Sequence, residues 1–269
     1  MRKKMVLWAK ENRHCTLRRA CRVFSLQRST WCYEKKIKPD DSQIKTLLIE
    51  LSQNHKRWGF KLIFKSLRQK GYQWNHKKVY RVYCELNLNI RVKPKKRLKP
   101  RTPIVLKVPT KMNKSWSMDF MHDSLANGKT FRTLNIIDDY NRESLVIDAD
   151  FSMPASRVIR TLEQTASWRG FPSNIRVDNG PEFISKIFLN WAKEKDIKIN
   201  HIQPGKPAQN AYIERFNRTY REEILNQHWF EDIYQVRILT EKWMEIYNKE
   251  RPHSALNYKT PWSFIENKV

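Results

Sequence analysis

The chain has 269 residues, and its 53 Lys or Arg against 27 Asp or Glu give a formal net charge of +26. A hydrophobic content of 40% is enough for a buried core, and no apolar run approaches the roughly 18 residues that suggest a membrane span. The basic start lacks the apolar region and cleavage site of a secretory signal, so we expect a cytoplasmic protein with no membrane partner.

The positive charge is concentrated in the first part of the chain. Residues 1–110 contain 30 Lys or Arg against 6 Asp or Glu, whereas residues 111–269 contain 23 against 21. This density of positive charge favours the binding of a polyanion, and nucleic acid bound through its phosphates is the leading partner. A solvated basic surface without a partner is the alternative.

The four cysteines, Cys15, Cys21, Cys32 and Cys84, all lie in the first third of the chain and form no Cys-x-x-Cys pair. A disulfide framework is not expected in a chain of this size without a signal. A zinc site that includes His14 fits no common ligand spacing, so small buried thiols on helices are the favoured interpretation.

Residues 1–38 are predicted to form a short segment that resembles a helix-turn-helix, with helices over 16–24 and 27–36 and Thr16 as an N-cap. The predicted inward stripe consists of Ala20, Val23 and Phe24. The residues that would face a DNA groove are Arg28, Ser29 and Thr30. Plain packing of two helices explains this pattern equally well.

Residues 39–90 are predicted to form a three-helix DNA-binding module. Its first helix shows Leu residues at helical spacing, Gly71 ends the second helix, and Asn75 caps the third. The third helix is the better candidate for contacting DNA, and its predicted contact residues are Lys77, Lys78 and Arg81. A solvated basic face is again the alternative.

Residues 91–112 have the composition of a basic, Pro-rich linker, which resists helix formation and favours an extended chain. An extended basic segment of this kind can lie along the phosphate backbone of DNA. The predicted contact residues are Lys95, Lys96 and Arg97.

From residue 113 to 269 the pattern changes to strands that alternate with helices. Strands are predicted over 115–122, 130–138, 144–151, 173–177 and 197–202. Helices are predicted over 155–168, from Pro181 through Trp191, and over 209–227 and 231–248. The first three strands have short connections and favour an antiparallel meander. The order predicts an α/β domain with a mixed five-stranded sheet covered by helices.

Three carboxylates in this domain form a candidate metal site. Asp119 lies within the first strand, Asp178 at the end of the fourth, and Glu214 in a helix, with 35 residues between the last two. Carboxylates on two neighbouring strands and on a helix can converge on one point, and Mg²⁺ prefers hard oxygen ligands. Two such ions about 4 Å apart serve in-line phosphoryl displacement.

Each carboxylate also has an ordinary interpretation. Asp178 can be a turn residue and helix cap, and Glu214 can pair with Arg218 on the helix surface. The apolar strand around Asp119 favours the metal interpretation, because an unpaired charge there would be costly. Asp138 and Asp139 form a rival pair at a strand end, which we interpret as turn or supporting residues.

Several motifs then resemble one family. They are 116–120 (WSMDF), 136–142 (IIDDYNR), 177–183 (VDNGPEF), 209–217 (QNAYIERFN) and 247–253 (YNKERPH), with Thr260-Pro261 after them. Together they resemble the DDE transposases of bacterial insertion sequences encoded by a second open reading frame, which have a catalytic core like that of retroviral integrases. The resemblance extends from about Leu17 to the end.

This resemblance implies a ribonuclease H-like core with Mg²⁺ or Mn²⁺, as two ions, held by Asp119, Asp178 and Glu214. It implies release of a 3′-hydroxyl at the element's end and its attack on a second phosphodiester of double-stranded DNA. The residues it implies along the cleft or the DNA path are Tyr140, Gly205, Asn210, Asn217, Arg218 and Arg221. Lys206, in the same loop as Gly205, is a further predicted DNA-contact residue. We interpret the loop over 203–208 as a mobile flap that sets Glu214 in place.

The resemblance also implies partners. Joining two ends calls for a homodimer or a higher oligomer on DNA, at the bacterial nucleoid. The family often adds a coiled coil from an upstream reading frame, and no sustained heptads occur in this chain. The alternatives are a non-catalytic DNA-binding protein derived from a transposase, a nuclease that cuts RNA in hybrids, and a covalent Tyr or Ser recombinase.

Overall fold

The structure is a computed structural model that describes residues 1–33, 39–90, 106, 108–203 and 207–266. These residues form two compact units, Met1–Thr46 and Leu47–Val269. The predicted four-part division into 1–38, 39–90, 91–112 and 113–269 stays a prediction. Four of the predicted DNA-contact residues lie outside the described residues, namely Lys95, Lys96, Arg97 and Lys206. Most of the predicted linker and the centre of the proposed flap lie outside them as well.

The first unit contains α1 (Arg2–Asn12), α2 (Leu17–Val23) and α3 (Arg28–Cys32). Thr16 caps α2 as predicted, accepting a hydrogen bond from the Arg19 backbone N–H at 3.4 Å. The predicted inward position of Val23 is wrong, since its side chain is 67% exposed. Burial instead follows the helical spacing of Leu17, Ala20, Cys21 and Phe24, which places Val23 on the outer face.

Three further helices precede the sheet: α4 (Pro39–Asn54), α5 (Phe60–Gln69) and α6 (His76–Glu85). The chain leaves α5 through Gly71, whose φ of 91° favours glycine. Asn75 caps α6 as predicted, accepting from the Lys77 backbone N–H at 2.8 Å. The apolar faces of α5 and α6 are buried, with Ile63 and Val79 fully inaccessible to solvent.

The sheet has five strands: β1 (Trp116–Ser124), β2 (Thr130–Asp138), β3 (Ser144–Asp150), β4 (Asn174–Val177) and β5 (Lys198–His201). Their order is β3-β2-β1-β4-β5. The pairs β1–β2 and β2–β3 are antiparallel, while β1–β4 and β4–β5 are parallel. This confirms the mixed ribonuclease H-like sheet, and it places β1 at the centre with the end of β4 beside it.

Each face of the sheet has its own core. One core joins Trp116 and Met118 to α7 (Ala155–Arg169) and to the helices after β4. The other joins Met121 to α10 (Ala211–Glu223) and α11 (Ile233–Lys249). Side chains alternate between the two faces along a strand, so Asp119 faces α10 together with Met121.

The helix predicted from Pro181 through Trp191 is two helices, α8 (Pro181–Ile184) and α9 (Lys186–Glu194). Ser185 separates them because its extended backbone interrupts the helix and its hydroxyl accepts from the Phe188 N–H at 3.3 Å. The break turns Ile184 and Ile187 outward, 52% and 64% exposed, so their predicted apolar-side positions are wrong.

The C-terminal region holds shorter elements than predicted. Single turns of 3-10 helix, Pro207–Asn210 and Leu225–Gln227, flank α10, a third covers Ser254–Leu256, and a last helix, α12 (Pro261–Glu266), was not predicted. Among the residues that the structure describes, no helix has both the length and the apolar character needed to cross a membrane.

Candidate active site

Asp119 is the centre of the candidate site. It lies on the central strand β1, directly opposite Asn135 of β2. One carboxylate oxygen accepts from the Phe120 backbone N–H at 2.9 Å, and the other accepts from Asn217 Nδ2 at 2.7 Å. Both oxygens are therefore held in fixed directions below helix α10.

The environment raises the pKa of Asp119 from 3.8 to about 6. Burial is the largest cause, because it penalises the charged form, and the hydrogen bond from the Phe120 backbone opposes it. The negative charges of Asp178 and Glu214 raise this pKa further, and the hydrogen bond from Asn217 opposes that rise. The charges of Asp178 and Glu214 therefore both act on Asp119.

Asp178 follows the last residue of β4, beside β1. Its Oδ1 accepts from the Gly180 N–H at 3.0 Å, and its backbone carbonyl lies 3.2 Å from His201 Nδ1. A Cβ on Gly180 would lie 3.1 Å from Asp178 Oδ1, so glycine suits this close approach. Glu214 lies in the first turn of α10, and its side chain is exposed.

A chain of amide hydrogen bonds ties Asp119 to the helix that carries Glu214. Asn135 Nδ2 donates to Asn217 Oδ1 at 2.7 Å, and Asn217 donates in turn to Asp119. Asn135 is fully buried, and Asn217 is 7% exposed. This chain fixes the position of Asp119 relative to α10. Asn135 is not among the predicted site residues, although an Asn inside an apolar strand was a usable signal.

The predicted DNA-contact residues of the core have different surroundings. The amide of Asn217 is directed at Asp119, so we propose that it positions the carboxylate. Asn210 is 3% exposed, and its Oδ1 lacks a partner among the described residues. Arg221 donates to the His122 carbonyl at 2.8 Å and pairs with Asp123 at 3.3 Å.

The side chain of Arg218 is exposed on α10, close in sequence to Glu214. In the helical module, Lys77 is exposed, Lys78 is half-buried, and Arg81 pairs with Glu85 at 3.0 Å. These three residues lie on α6, which precedes the sheet in the chain. DNA contact by all of them stays a proposal.

The rival pair, Asp138 and Asp139, is fully buried and serves the turn after β2. Asp138 accepts from the backbone N–H groups of Asn113 and Tyr140, each at 2.9 Å. Asp139 pairs with Arg176 at 3.0 Å and accepts from two serine hydroxyls. Burial raises the pKa of both carboxyls, and these partners oppose the rise. The hydrogen bonds and ion pairs of Asp138 and Asp139 therefore stabilise the turn after β2.

The three carboxylates of the candidate site fit a divalent cation by their chemistry. Their oxygens are hard ligands, and a cation would relieve the repulsion that raises the pKa of Asp119. Within the described ranges no group of three metal-ligating side chains is already gathered around one point. Of the three side chains, Glu214 is exposed, whereas Asp119 and Asp178 are half-buried.

Comparison with known families matches three segments of the chain. Residues 109–207 and 195–261 match models of the integrase core domain. Residues 39–97 match an HTH-like domain. The first two segments contain all three carboxylates, and the third contains the predicted helical module.

Similar proteins come from bacterial insertion elements. A 39.2 kDa protein of insertion element IS476 from Xanthomonas euvesicatoria is 39% identical over 93% of this chain and 72% of its own length. A 31.7 kDa protein of insertion element IS407 from Burkholderia multivorans is 38% identical over 92% of this chain and 89% of its own length. The putative transposase for IS150 from Escherichia coli is 26% identical over 89% and 90%.

Among solved structures, the HTLV-2 integrase catalytic core domain in complex with magnesium aligns with 57% of this chain and 96% of its own, at 19% identity and a TM-score of 0.43.

Proposed function

The chain belongs to the family of insertion-sequence transposases that carry an integrase core domain, and on that premise we propose that it cleaves and joins DNA strands at element ends. One observation carries this proposal. Asp119 is partly buried on the central strand, and its pKa is raised to about 6 by burial and by the charges of Asp178 and Glu214. A partly buried carboxylate beside two further negative charges is a cost to the fold that a metal-dependent activity would explain.

Asp119, Asp178 and Glu214 would hold Mg²⁺ or Mn²⁺, two ions in our proposal. The metal would neutralise phosphate charge and lower the pKa of the attacking hydroxyl. The protein's own contribution is orientation: Asn217 and the Phe120 N–H fix both oxygens of Asp119, and the Gly180 N–H fixes Asp178.

Two successive displacements at phosphorus would take place at this site. In the first, water attacks the phosphodiester at the element's end, the bond from phosphorus to the 3′ oxygen breaks, and a 3′-hydroxyl is released. In the second, that hydroxyl attacks a target phosphodiester, one new P–O bond forms, and the target's own 3′ oxygen leaves with a proton. No covalent protein–DNA bond is needed.

Double-stranded DNA would be bound by the helical module through Lys77, Lys78 and Arg81, and along the linker through Lys95, Lys96 and Arg97. In the core, Lys206, Asn210, Arg218 and Arg221 would border the DNA path. Joining two ends requires a homodimer or higher oligomer on DNA, and the product of an upstream reading frame is a further proposed partner. The work would take place at the nucleoid in the bacterial cytoplasm.

The test is strand cleavage and joining with element-end duplexes and supercoiled plasmid, with and without Mg²⁺ and with the upstream-frame product added in one arm. We expect Asp178→Asn and Glu214→Gln each to lower both reactions by at least about a thousandfold. Glu241→Gln, an exposed change on α11, is the matched control. Gel shifts should show unchanged DNA binding for all variants. Retained joining by Glu214→Gln would refute the assignment.

A further inference from the structure

A cavity of about 190 Å³ lies on the side of α10 that faces the C-terminal segment. It is lined by α10, by the turn between β2 and β3 and by the segment after α11, together with Ile137 of β2 and Tyr247 of α11. We call it the arginine pocket after its three arginines, Arg142 of the turn, Arg215 of α10 and Arg251 of the C-terminal segment. Nothing in the proposed chemistry uses it.

The pocket is strongly basic, because its lining includes these three arginines and no Asp or Glu. Arg251 pairs with Glu223 at 3.0 Å, which balances one positive charge. Arg142 lies over the Tyr212 ring at 3.3 Å and donates to the Asp139 carbonyl. Its charge helps to lower the pKa of the Asp139 carboxyl, but that carboxylate forms its ion pair with Arg176 at 3.0 Å. Within the described part of the chain, the guanidinium of Arg215 has no carboxylate partner.

All three arginines act on the pKa of one buried side chain, His253, which indicates that their charges lie close together. Its pKa is lowered to about 3, first by burial and then by the positive charges of Arg251, Arg142 and Arg215. The hydrogen bond from its ring to the Tyr247 carbonyl opposes this shift. His253 is therefore neutral, and of the three arginines only Arg251 forms an ion pair with a carboxylate of the described residues. Such an arrangement favours an anion.

The position of the pocket favours the phosphate backbone of DNA over a free anion. Helix α10 turns Asn217 and Arg221 towards β1, and it turns Tyr212, Arg215 and Thr219 towards the pocket. The candidate active site and the arginine pocket therefore lie on different sides of the same helix, α10, within part of a turn of each other. The Tyr212 hydroxyl donates to the Leu106 carbonyl at 3.3 Å, so Leu106 lies beside the pocket.

We propose that the arginine pocket binds a backbone phosphate of the DNA strand that passes over α10, as an anchor separate from the three carboxylates. This inference rests on the proposed action on DNA. Arg215 would donate two hydrogen bonds to the phosphate oxygens, with Arg142 and Arg251 adding charge. A phosphate contact positions the duplex and carries no sequence preference.

The test compares Arg215→Gln with the wild-type chain in DNA-binding titrations at several salt concentrations, using element-end and unrelated duplexes. Neutralising one phosphate contact should reduce the slope of log K against log salt by about 0.9. Affinity at low salt should fall about tenfold for both duplexes alike. Arg215→Lys should recover most of the slope because it keeps the charge. The matched control is Arg160→Gln, an exposed change on α7, across the sheet, which should alter neither quantity.

An unchanged slope and affinity for Arg215→Gln would overturn the proposal. A free-anion site would also overturn it: inorganic phosphate would then raise the melting temperature of the wild type, and not of Arg215→Gln, while both bind DNA equally. These outcomes are separable from failure of the proposed function, because binding is measured without Mg²⁺. A wild type that binds DNA through the pocket yet joins no strands would refute only the catalytic assignment.

Discussion

Replacing Asp119 with Asn should stabilise the fold while abolishing its activity. The charged form of Asp119 is penalised by burial and by two neighbouring carboxylates, and Asn removes that penalty. The hydrogen bond to Asn217 need not be lost. Asn135 Oδ1 has no partner among the described residues, so the amides of Asn135 and Asn217 can both rotate. Asn217 Oδ1 can then accept from the new amide group at position 119, which reverses the direction of the bond.

The magnitude follows from the pKa. A rise from 3.8 to about 6 is about two units, or about 3 kcal/mol at 1.36 kcal/mol per unit. Asp119 is partly exposed, so solvent screening reduces this to about 1–2 kcal/mol. A carboxyl whose pKa is raised by folding binds its proton more tightly in the folded state. The contribution of Asp119 to the wild-type free energy of unfolding therefore falls as the pH rises from about 4 through about 6, and this loss is complete at about pH 7.

The assay is urea unfolding at pH values from 4 to 8 in the absence of divalent metal, followed by tryptophan fluorescence. We expect Asp119→Asn to exceed the wild type by about 1–2 kcal/mol at pH 8 and to match it near pH 4. Adding Mn²⁺ at pH 8 should stabilise the wild type far more than the variant.

Asp196→Asn is the control, since Asp196 is exposed and Asn tolerates its φ of 54°. It should change the stability little at any pH. A gain for Asp119→Asn that is equal at pH 4 and pH 8, or no gain at all, would contradict the assignment of a strained, charged Asp119.

Two further changes probe the supports of the fold and site. Asn217→Ala removes a hydrogen bond to a charged acceptor, which is worth about 1.5–3 kcal/mol. The Mn²⁺ concentration for half-saturation should therefore rise about tenfold or more at pH 7, and this increase should be smaller at pH 8.5. An equal increase at both pH values would exclude the positioning role. Asn248→Ala breaks two hydrogen bonds of 2.9 Å to the Ser144 backbone and should lower the free energy of unfolding in urea by about 1–3 kcal/mol. Asn190→Ala, at an exposed position of α9, should lower it by less than about 1 kcal/mol.

The strands and most helices of the core were predictable because their residues obey local periodicity. Thr16 and Asn75 cap the helices that they precede, and the polar Asp119 between apolar neighbours was a visible exception. The break at Ser185 was not predictable from apolar spacing, because the spacing of Phe183 to Trp191 continues through it. A single serine hydroxyl captures the Phe188 N–H and decides the outcome there.

The sequence by itself predicted the three candidate carboxylates, and it determined the division of charge and the order of strands and helices, since composition, periodicity and motif spacing are properties of the chain. Only the tertiary structure decided how the supporting residues act. Asn217 was expected on the DNA path, yet its position opposite Asn135 turns it to Asp119. Arg142, Arg215 and Arg251 are separated by many residues and share no motif. They meet because the turn after β2, α10 and the segment after α11 pack together, and such convergence depends on contacts between distant parts of the chain.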